Sequence, residues 1–211
     1  MSSNKNSKMH DVDLNFEESL HKAKQIFSQG DVFILPTDTF YSLAVNPLNN
    51  SAMEKLKAIV GNEITDRSTF LIDSVSNLIR YIEIESERHL DFLISIWPNP
   101  IRVIFNLNSK ASKIFGLEKA AFKIPNYRFC LRLLAEMQIP LLSVPIKYSY
   151  KSELKYLEVV KNDYMNHVAA IFYSGKESDM HDSAVVDLSE NKPALINEDQ
   201  YKVSGLIEKY Y

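Results

Sequence analysis

Residues 30–43, GDVFILPTDTFYSL, contain the features that decide the fold of this chain. Gly30 is typical of a residue that ends a helix, and the apolar run 32–35 predicts a short buried strand. Pro36 ends that strand because proline has no backbone N–H to donate to a neighbouring strand. Residues 37–39, TDT, then place two hydroxyls and a carboxylate where α/β proteins position ligand-contacting groups. The alternative is a capped turn, and the local pattern alone favours that structural role.

Composition indicates a globular chain without a general affinity for nucleic acid. The 211 residues are 45% hydrophobic and 11% aromatic, which is enough for one large core and requires no second domain. The net charge of −3 excludes a global basic excess, so any RNA contact would need a local basic patch. The single cysteine, Cys130, excludes an intrachain disulfide and a cysteine-rich zinc site. We expect a cytoplasmic protein, since no apolar run is long enough to cross a membrane.

Helical and strand patterns alternate along the chain and predict an α/β fold with a mixed sheet flanked by helices. The polar residues 1–13 predict a flexible tail, and residues 14–211 predict a single domain. Capping boxes at 15–18 and 51–54 predict the starts of two helices. Residues 108–119 are predicted to form a loop, and 184–188 with 194–196 a hairpin. Further strands are predicted at 32–35, 70–72, 101–107, 120–125, 139–144 and 168–173, and further helices at 74–82, from 86, from 126, at 152–161 and from 199.

No local motif identifies a catalytic centre. The chain has no GxGxxG, no P-loop and no HExxH, and its five histidines have no metal-ligand spacing, so no metal site is predicted. Cys130 falls on the apolar face of a predicted helix and is therefore expected to pack in the core. Asp38, Asp66 and Asp73 carry carboxylates suited to acid–base chemistry, but nothing in the sequence pairs them, and we expect them to be solvated.

Several blocks, in order, resemble the YrdC/Sua5/YciO family of threonylcarbamoyl-AMP synthases. The segment PTDTFYSL resembles the family signature PT(D/E)T(V)YGL, which follows the first strand. Further similar blocks are Asn46-Pro47, WPNPIR at 97–102 (family WPGPLT), AFKIP at 121–125 (family AVR(V/I)P), PLLS at 140–143 before the place of the family's SAN, and SAVVD at 183–187 (family STVVD). The chain is identified as a divergent member of this family, which implies a single-domain YrdC/RibB-like fold from about residue 14 to the end.

The resemblance also implies an activity. Family enzymes combine L-threonine, bicarbonate and ATP, the last with Mg²⁺, into threonylcarbamoyl-AMP and pyrophosphate, for the threonylcarbamoyladenosine modification of tRNA. The implied partners are L-threonine or a similar small carboxylate, together with RNA or tRNA-modification proteins. In the mechanism that fits, the threonine amine attacks CO2 or bicarbonate, and the carbamate oxygen then attacks the α-phosphorus of ATP. Positioning and charge neutralisation are the contributions expected of the protein.

Site residues follow from the aligned positions. Thr37 and Ser183 resemble the family residues that contact the amino-acid substrate, Lys123 stands in place of an arginine and is expected to pair with a carboxylate, and Ser143 is expected to line the same cleft. Local structural roles are the alternatives: a turn hydroxyl for Thr37, a strand-start cap for Ser183 and a surface position for Lys123.

The chain departs from the family at its cationic motifs. The family's KxR aligns with Val60-Gly-Asn62, its SxN with Pro145-Ile-Lys147, and its RxG with Asn197-Glu-Asp199. Neither valine nor asparagine replaces a cation.

Arg67 and Lys147 are the predicted compensating nucleotide contacts, and no catalytic residue is assigned. Three functions therefore stay open: an active nucleotidyltransferase, a catalytically degenerate protein that binds an amino acid, a nucleotide or RNA, and a divergent member that binds another small carboxylate.

Overall fold

A mixed β-sheet runs through the molecule and determines where the helices lie. The computed structural model describes residues 8–61, 68–84, 86–147, 153–175, 181–190, 192–198 and 200–211. Within these ranges the strands are β1 (Met9–Asp11), β2 (Phe33–Leu35), β3 (Ser42–Val45), β4 (Thr69–Leu71), β5 (Ile101–Asn106), β6 (Lys119–Lys123), β7 (Leu141–Pro145), β8 (Ala170–Tyr173), β9 (Ala184–Asp187) and β10 (Ala194–Asn197). Their order across the sheet is β1-β8-β2-β3-β7-β4-β6-β5-β9-β10.

Helices lie on both faces of the sheet, as the α/β interpretation predicts. They are α1 (Phe16–Gln29), α2 (Asn50–Val60), α3 (Val75–Leu78), α4 (Glu87–Ile96), α5 (Ser109–Phe115), α6 (Arg128–Met137), α7 (Glu153–Tyr164) and α8 (Ser204–Tyr210). Strand β2 pairs antiparallel with β3 and parallel with β8, while β5 pairs antiparallel with β6 and parallel with β9. The predicted mixed sheet is therefore confirmed, and so is the predicted hairpin, which β9 and β10 form.

The two sheet faces are covered unequally, and this creates the candidate site. The larger core packs one face against α2, α4 and α7, whereas a smaller core packs α1 and α6 onto the other face. Leu71 of β4 and Leu141 of β7 are paired across the two antiparallel strands, and both belong to that smaller core. Side chains two positions along a strand share a face, so Thr69 and Ser143 lie on this same face, as does Lys123, which is paired with Leu71. Polar side chains therefore line the sheet where the α1–α6 cover ends.

The structure corrects the predicted N-terminal tail and one predicted loop. Met9–Asp11 form strand β1, paired parallel with β8, so the tail prediction is wrong for residues 9–13, while residues 1–7 lie outside the described residues. Pairing at a sheet edge uses backbone groups and needs no apolar alternation, so the polar sequence conceals it. Residues 108–119 contain helix α5, which begins where the Asn108 side chain accepts a hydrogen bond from the N–H of Ala111 at 2.9 Å.

Neither predicted capping box forms. The Asn15 side chain makes no cap hydrogen bond, and α2 begins one residue before Ser51, with the Asn49 side chain accepting from the N–H of Ala52 at 3.0 Å. Both helices nevertheless run through the predicted segments, because their apolar faces are buried.

Gly30 ends α1 in the left-handed conformation, with φ of 74°. A Cβ atom at Gly30 would lie 2.3 Å from Nδ2 of Asn49, the side chain that caps α2. Gly116 offers a matched case, because its φ of 67° is similar but a Cβ there would meet nothing within 4 Å.

We expect Gly30→Ala to lower the free energy of unfolding by more than Gly116→Ala does. Both substitutions place a Cβ in the left-handed region, at about 1–2 kcal/mol. Gly30→Ala should lose about 1 kcal/mol more, because it also displaces the Asn49 cap. Urea unfolding of the two variants measures the difference, and equal losses would show that Gly30 is needed for its φ angle alone.

Candidate functional site

The turn after β2 is held by the hydroxyl of Thr37. Its Oγ1 donates to the carbonyl of Phe40 at 2.8 Å, accepts from the N–H of Thr39 at 3.1 Å and lies 3.0 Å from the Thr39 hydroxyl. Below the turn, the buried thiol of Cys130 donates to the carbonyl of Pro36, and burial raises the pKa of that thiol. The structural role considered for Thr37 is therefore present, and Cys130 packs in the core as predicted.

Lys123 lies at the end of β6 and is buried rather than on the surface. Its side chain is only 4% exposed, and Nζ lies 2.7 Å from Oδ1 of Asp38, whose side chain is 8% exposed. Nζ also donates to the hydroxyl of Ser183 at 3.2 Å and lies 3.4 Å from that of Thr39. Burial lowers the pKa of Lys123, and the Asp38 carboxylate opposes that shift.

Asp38 corrects the expectation of a solvated carboxylate. One oxygen pairs with Lys123, and the other accepts the N–H of Asn126 at 2.9 Å, just before α6. The sequence could not reveal this pairing, because the two residues are far apart in the chain and come together only in the folded sheet, where strands β7 and β4 lie between β3 and β6.

A cavity of about 120 Å³ lies above this ion pair. It is lined by the predicted site residues that the structure describes, namely Thr37, Lys123, Ser143, Lys147 and Ser183, while Arg67 lies outside the described residues. The structure thus brings together residues from four separate segments, with Ser143 in β7 and Lys147 just after it. Their role in ligand binding stays a prediction.

Ser143 and Lys147 already have partners within the protein. The buried Ser143 hydroxyl donates to the carbonyl of Thr69 at 3.1 Å and joins β7 to β4. Lys147 forms an ion pair with Asp182, with both side chains more than 40% exposed, and its Nζ lies 5.8 Å from the ring centroid of Phe40. A nucleotide contact through Lys147 would therefore compete with Asp182.

Sequence reasoning missed Arg102, which also lines the cavity. Burial lowers the pKa of Arg102, and the nearby Asp182 carboxylate raises it. The alternation of 101–107 contained the signal, because residues 101, 103 and 105 face the core and Arg102 must face the opposite side.

The electrostatic balance of the site favours an anion. Lys123, Lys147 and Arg102 carry three positive charges, and Asp38 and Asp182 carry two negative ones. In the described part of the chain, no group of three histidine, cysteine or acidic side chains is placed to hold a metal ion. The site therefore suits a small carboxylate or phosphate.

Comparison with known proteins shows the family of the chain but not the role of its site residues. The Sua5/YciO/YrdC family model, described as telomere recombination, matches residues 25–198. The chain belongs to this family. Two relatives in the family are named threonylcarbamoyl-AMP synthase: that of Bacillus subtilis is 22% identical over 85% of this chain and 53% of its own length, and that of Pseudoalteromonas translucida is 24% identical over 72% and 83%. The chain spans about half the length of the Bacillus subtilis and Pyrococcus abyssi relatives.

Solved structures of the family share the fold. A P. abyssi Sua5 structure complexed with L-threonine has a TM-score of 0.78 at 22% identity, with 92% of this chain and 57% of that one covered. E. coli YciO has a TM-score of 0.76 at 18% identity, with 90% and 93% covered. Among the described helices, none has the length and apolarity needed to span a membrane.

We expect Lys123→Met to lower the free energy of unfolding by about 3–5 kcal/mol, because it leaves the Asp38 carboxylate buried without its cation. Adding Asp38→Asn should recover part of that loss, since the amide oxygen still accepts from Asn126 without carrying a charge. Chemical denaturation of the single and double variants measures both effects.

The exposed pair Lys24–Glu136, 2.7 Å apart, provides the control. Lys24→Met should cost less than about 1 kcal/mol, as exposed pairs do. A Lys123→Met variant as stable as Lys24→Met would contradict a buried, energetically important pair.

Proposed function

We propose that the cavity binds a small amino acid, with L-threonine the first candidate, and that the chain converts it with bicarbonate and ATP into a carbamoyl-adenylate. The observation that carries the proposal is the buried ammonium of Lys123, held beside the hydroxyls of Thr39 and Ser183 in a cavity with excess positive charge. The names of the relatives point to the same chemistry.

A carboxylate suits the position beside Lys123. The Lys123 ammonium has three N–H donors, and it is held between Asp38, Thr39 and Ser183. A carboxylate that displaced the weak 3.4 Å contact to Thr39 would gain a charge-assisted hydrogen bond to a buried ammonium. The Ser183 hydroxyl accepts from Lys123, and since it donates to no acceptor among the described residues, its own hydrogen can go to a ligand oxygen.

The reaction needs the protein to position the substrates, and no covalent bond to the protein is required. The amine of the bound amino acid attacks CO2 derived from bicarbonate and loses a proton, which gives a carbamate. A carbamate oxygen then attacks the α-phosphorus of ATP, and the bond to the β-phosphate oxygen breaks to release pyrophosphate. Mg²⁺ would enter with the ATP phosphates. The protein contributes by holding the carboxylate and neutralising the phosphates.

A second candidate is a binding protein without catalysis, and the altered cationic positions are the reason to test it. Val60, aligned with the first cation of the family's KxR, ends α2 without a charge, and Lys147 is already paired with Asp182. Loss of a charge-stabilising contact commonly costs about 3 kcal/mol, or roughly a hundredfold in rate. In either case we propose a cytoplasmic protein whose ligand or product is used in tRNA modification.

Pyrophosphate release separates the two candidates. We expect release that requires L-threonine, bicarbonate and ATP together, measured with a coupled phosphate assay. No release, combined with a rise in melting temperature on adding L-threonine, would support the binding protein. The absence of both pyrophosphate release and a threonine-dependent rise in melting temperature would contradict the proposed function as a whole.

Ser183→Ala tests the amino-acid contact. We expect about a tenfold or greater loss of L-threonine affinity by calorimetry, because a hydrogen bond to a charged group contributes about 1.5–3 kcal/mol. Ser189→Ala is the matched control, since its hydroxyl also accepts from a lysine, Lys119 at 2.9 Å, but lies outside the cavity lining. Equal effects of the two substitutions would remove Ser183 from the site.

A further inference from the structure

Arg102 is fixed in place by its neighbours in the chain. The indole N–H of Trp97 donates to the carbonyl of Ile101 at 2.7 Å, and the N–H of Ile101 donates to the carbonyl of Asn99 at 2.7 Å. Ile101 is fully buried in the larger core, so the next side chain must point to the opposite face. The segment therefore presents the Arg102 guanidinium to the open face of the sheet.

Two cavities meet at Arg102. It lines the polar cavity of about 120 Å³ above Lys123, and it also lines a second cavity of about 530 Å³. The walls of the second cavity are mainly apolar, with Met53, Phe70 and Leu117 among them. Its other cationic side chains are Lys57 and Lys119. Arg102 is the charged side chain that the two cavity linings share within the described residues.

The guanidinium has unused hydrogen-bonding capacity. Nη2 donates to the carbonyl of Ser68 at 3.1 Å, whereas the buried Nε has no acceptor among the described residues. A buried N–H without an acceptor costs about 1–3 kcal/mol, and a small shift of the side chain that brought Nε to a ligand oxygen would relieve that cost. A guanidinium has five N–H donors in a planar fork, a geometry that matches the oxygens of a phosphate.

We propose that Arg102 is a further substrate-binding residue, which holds a phosphate group of the nucleotide where the two cavities meet. The inference rests on the proposed function in one respect, that the second substrate is a nucleotide. Lys123 and Ser183 take the carboxylate in the small cavity, and the carbamate oxygen must then reach the α-phosphorus. The phosphate therefore has to lie next to the small cavity, and Arg102 stands at that boundary, with the apolar walls of the larger cavity beside it for the base.

The proposal also addresses the missing cations of this chain. The segment WPNPIR places an arginine where the similar motif WPGPLT has a threonine. Ser68, whose carbonyl accepts from Arg102, lies only a few residues beyond Asn62, where the family motif KxR has its second cation. A positive charge lost from one segment is thus supplied from strand β5.

Isothermal titration calorimetry with ATP and with pyrophosphate, without threonine or bicarbonate, tests the inference on the full chain. We expect Arg102→Gln to weaken both affinities by about tenfold or more, and Arg102→Lys, which keeps the charge but not the fork, to weaken them less. L-threonine affinity should change by less than about threefold. The control Arg80→Gln should leave all affinities unchanged, since Arg80 donates to the Asn77 side chain and lines neither cavity.

Several results would overturn the inference. One is an Arg102→Gln variant whose ATP affinity is unchanged. Another is an Arg102→Gln variant that loses threonine binding but retains ATP binding. A third is an unmodified chain that binds neither ATP nor pyrophosphate. Melting temperatures without ligand check folding, and the Arg102→Lys comparison stands even where glutamine destabilises the protein. Arg102-dependent ATP binding without pyrophosphate release would contradict catalysis but support this inference, so the two failures are distinguishable.

Discussion

The buried ion pair between Lys123 and Asp38 is the interaction on which the rest of the site depends. Desolvating two charges is costly, and the cost is offset only where geometry and further hydrogen bonds are good. Here the second oxygen of Asp38 accepts the N–H of Asn126, and Lys123 reaches the hydroxyl of Ser183. The pair therefore links the turn after β2, the end of β6, the start of α6 and the start of β9. A change in any of these segments would alter the floor of the cavity.

The fold places this pair at the edge of a covered region. Helices α1 and α6 shield one part of the sheet face with apolar side chains, and the face turns polar where that cover stops. Lys123 and Asp38 lie at this boundary, under the cavity yet almost inaccessible to water. Burial strengthens the charge interactions there, so a few hydroxyls and cations would suffice for the small anionic ligand that we propose.

Much of this architecture could be predicted from the sequence, and the failures have identifiable causes. The apolar run 32–35 and the alternation of 101–107 gave correct strands, because burial imposes periodicity. Strand β1 and helix α5 were missed, since an edge strand and a short capped helix depend on backbone pairing and a single Asn108 contact. Strand β3 (Ser42–Val45) was missed too, because its four residues are all buried and show no alternation. In the site, the ordered motifs predicted Thr37, Lys123, Ser143 and Ser183, and all four line one cavity. Asp38 was expected to be solvated, and Arg102 was overlooked. Both act through contacts between distant segments, which spacing along the chain does not encode.

A crystal structure of the protein grown with L-threonine tests the central claim most directly. We predict the amino-acid carboxylate within hydrogen-bond distance of Lys123 Nζ or the Ser183 hydroxyl, with the Lys123–Asp38 pair retained. Threonine bound away from these groups, or an unoccupied cavity at saturating threonine, would contradict it.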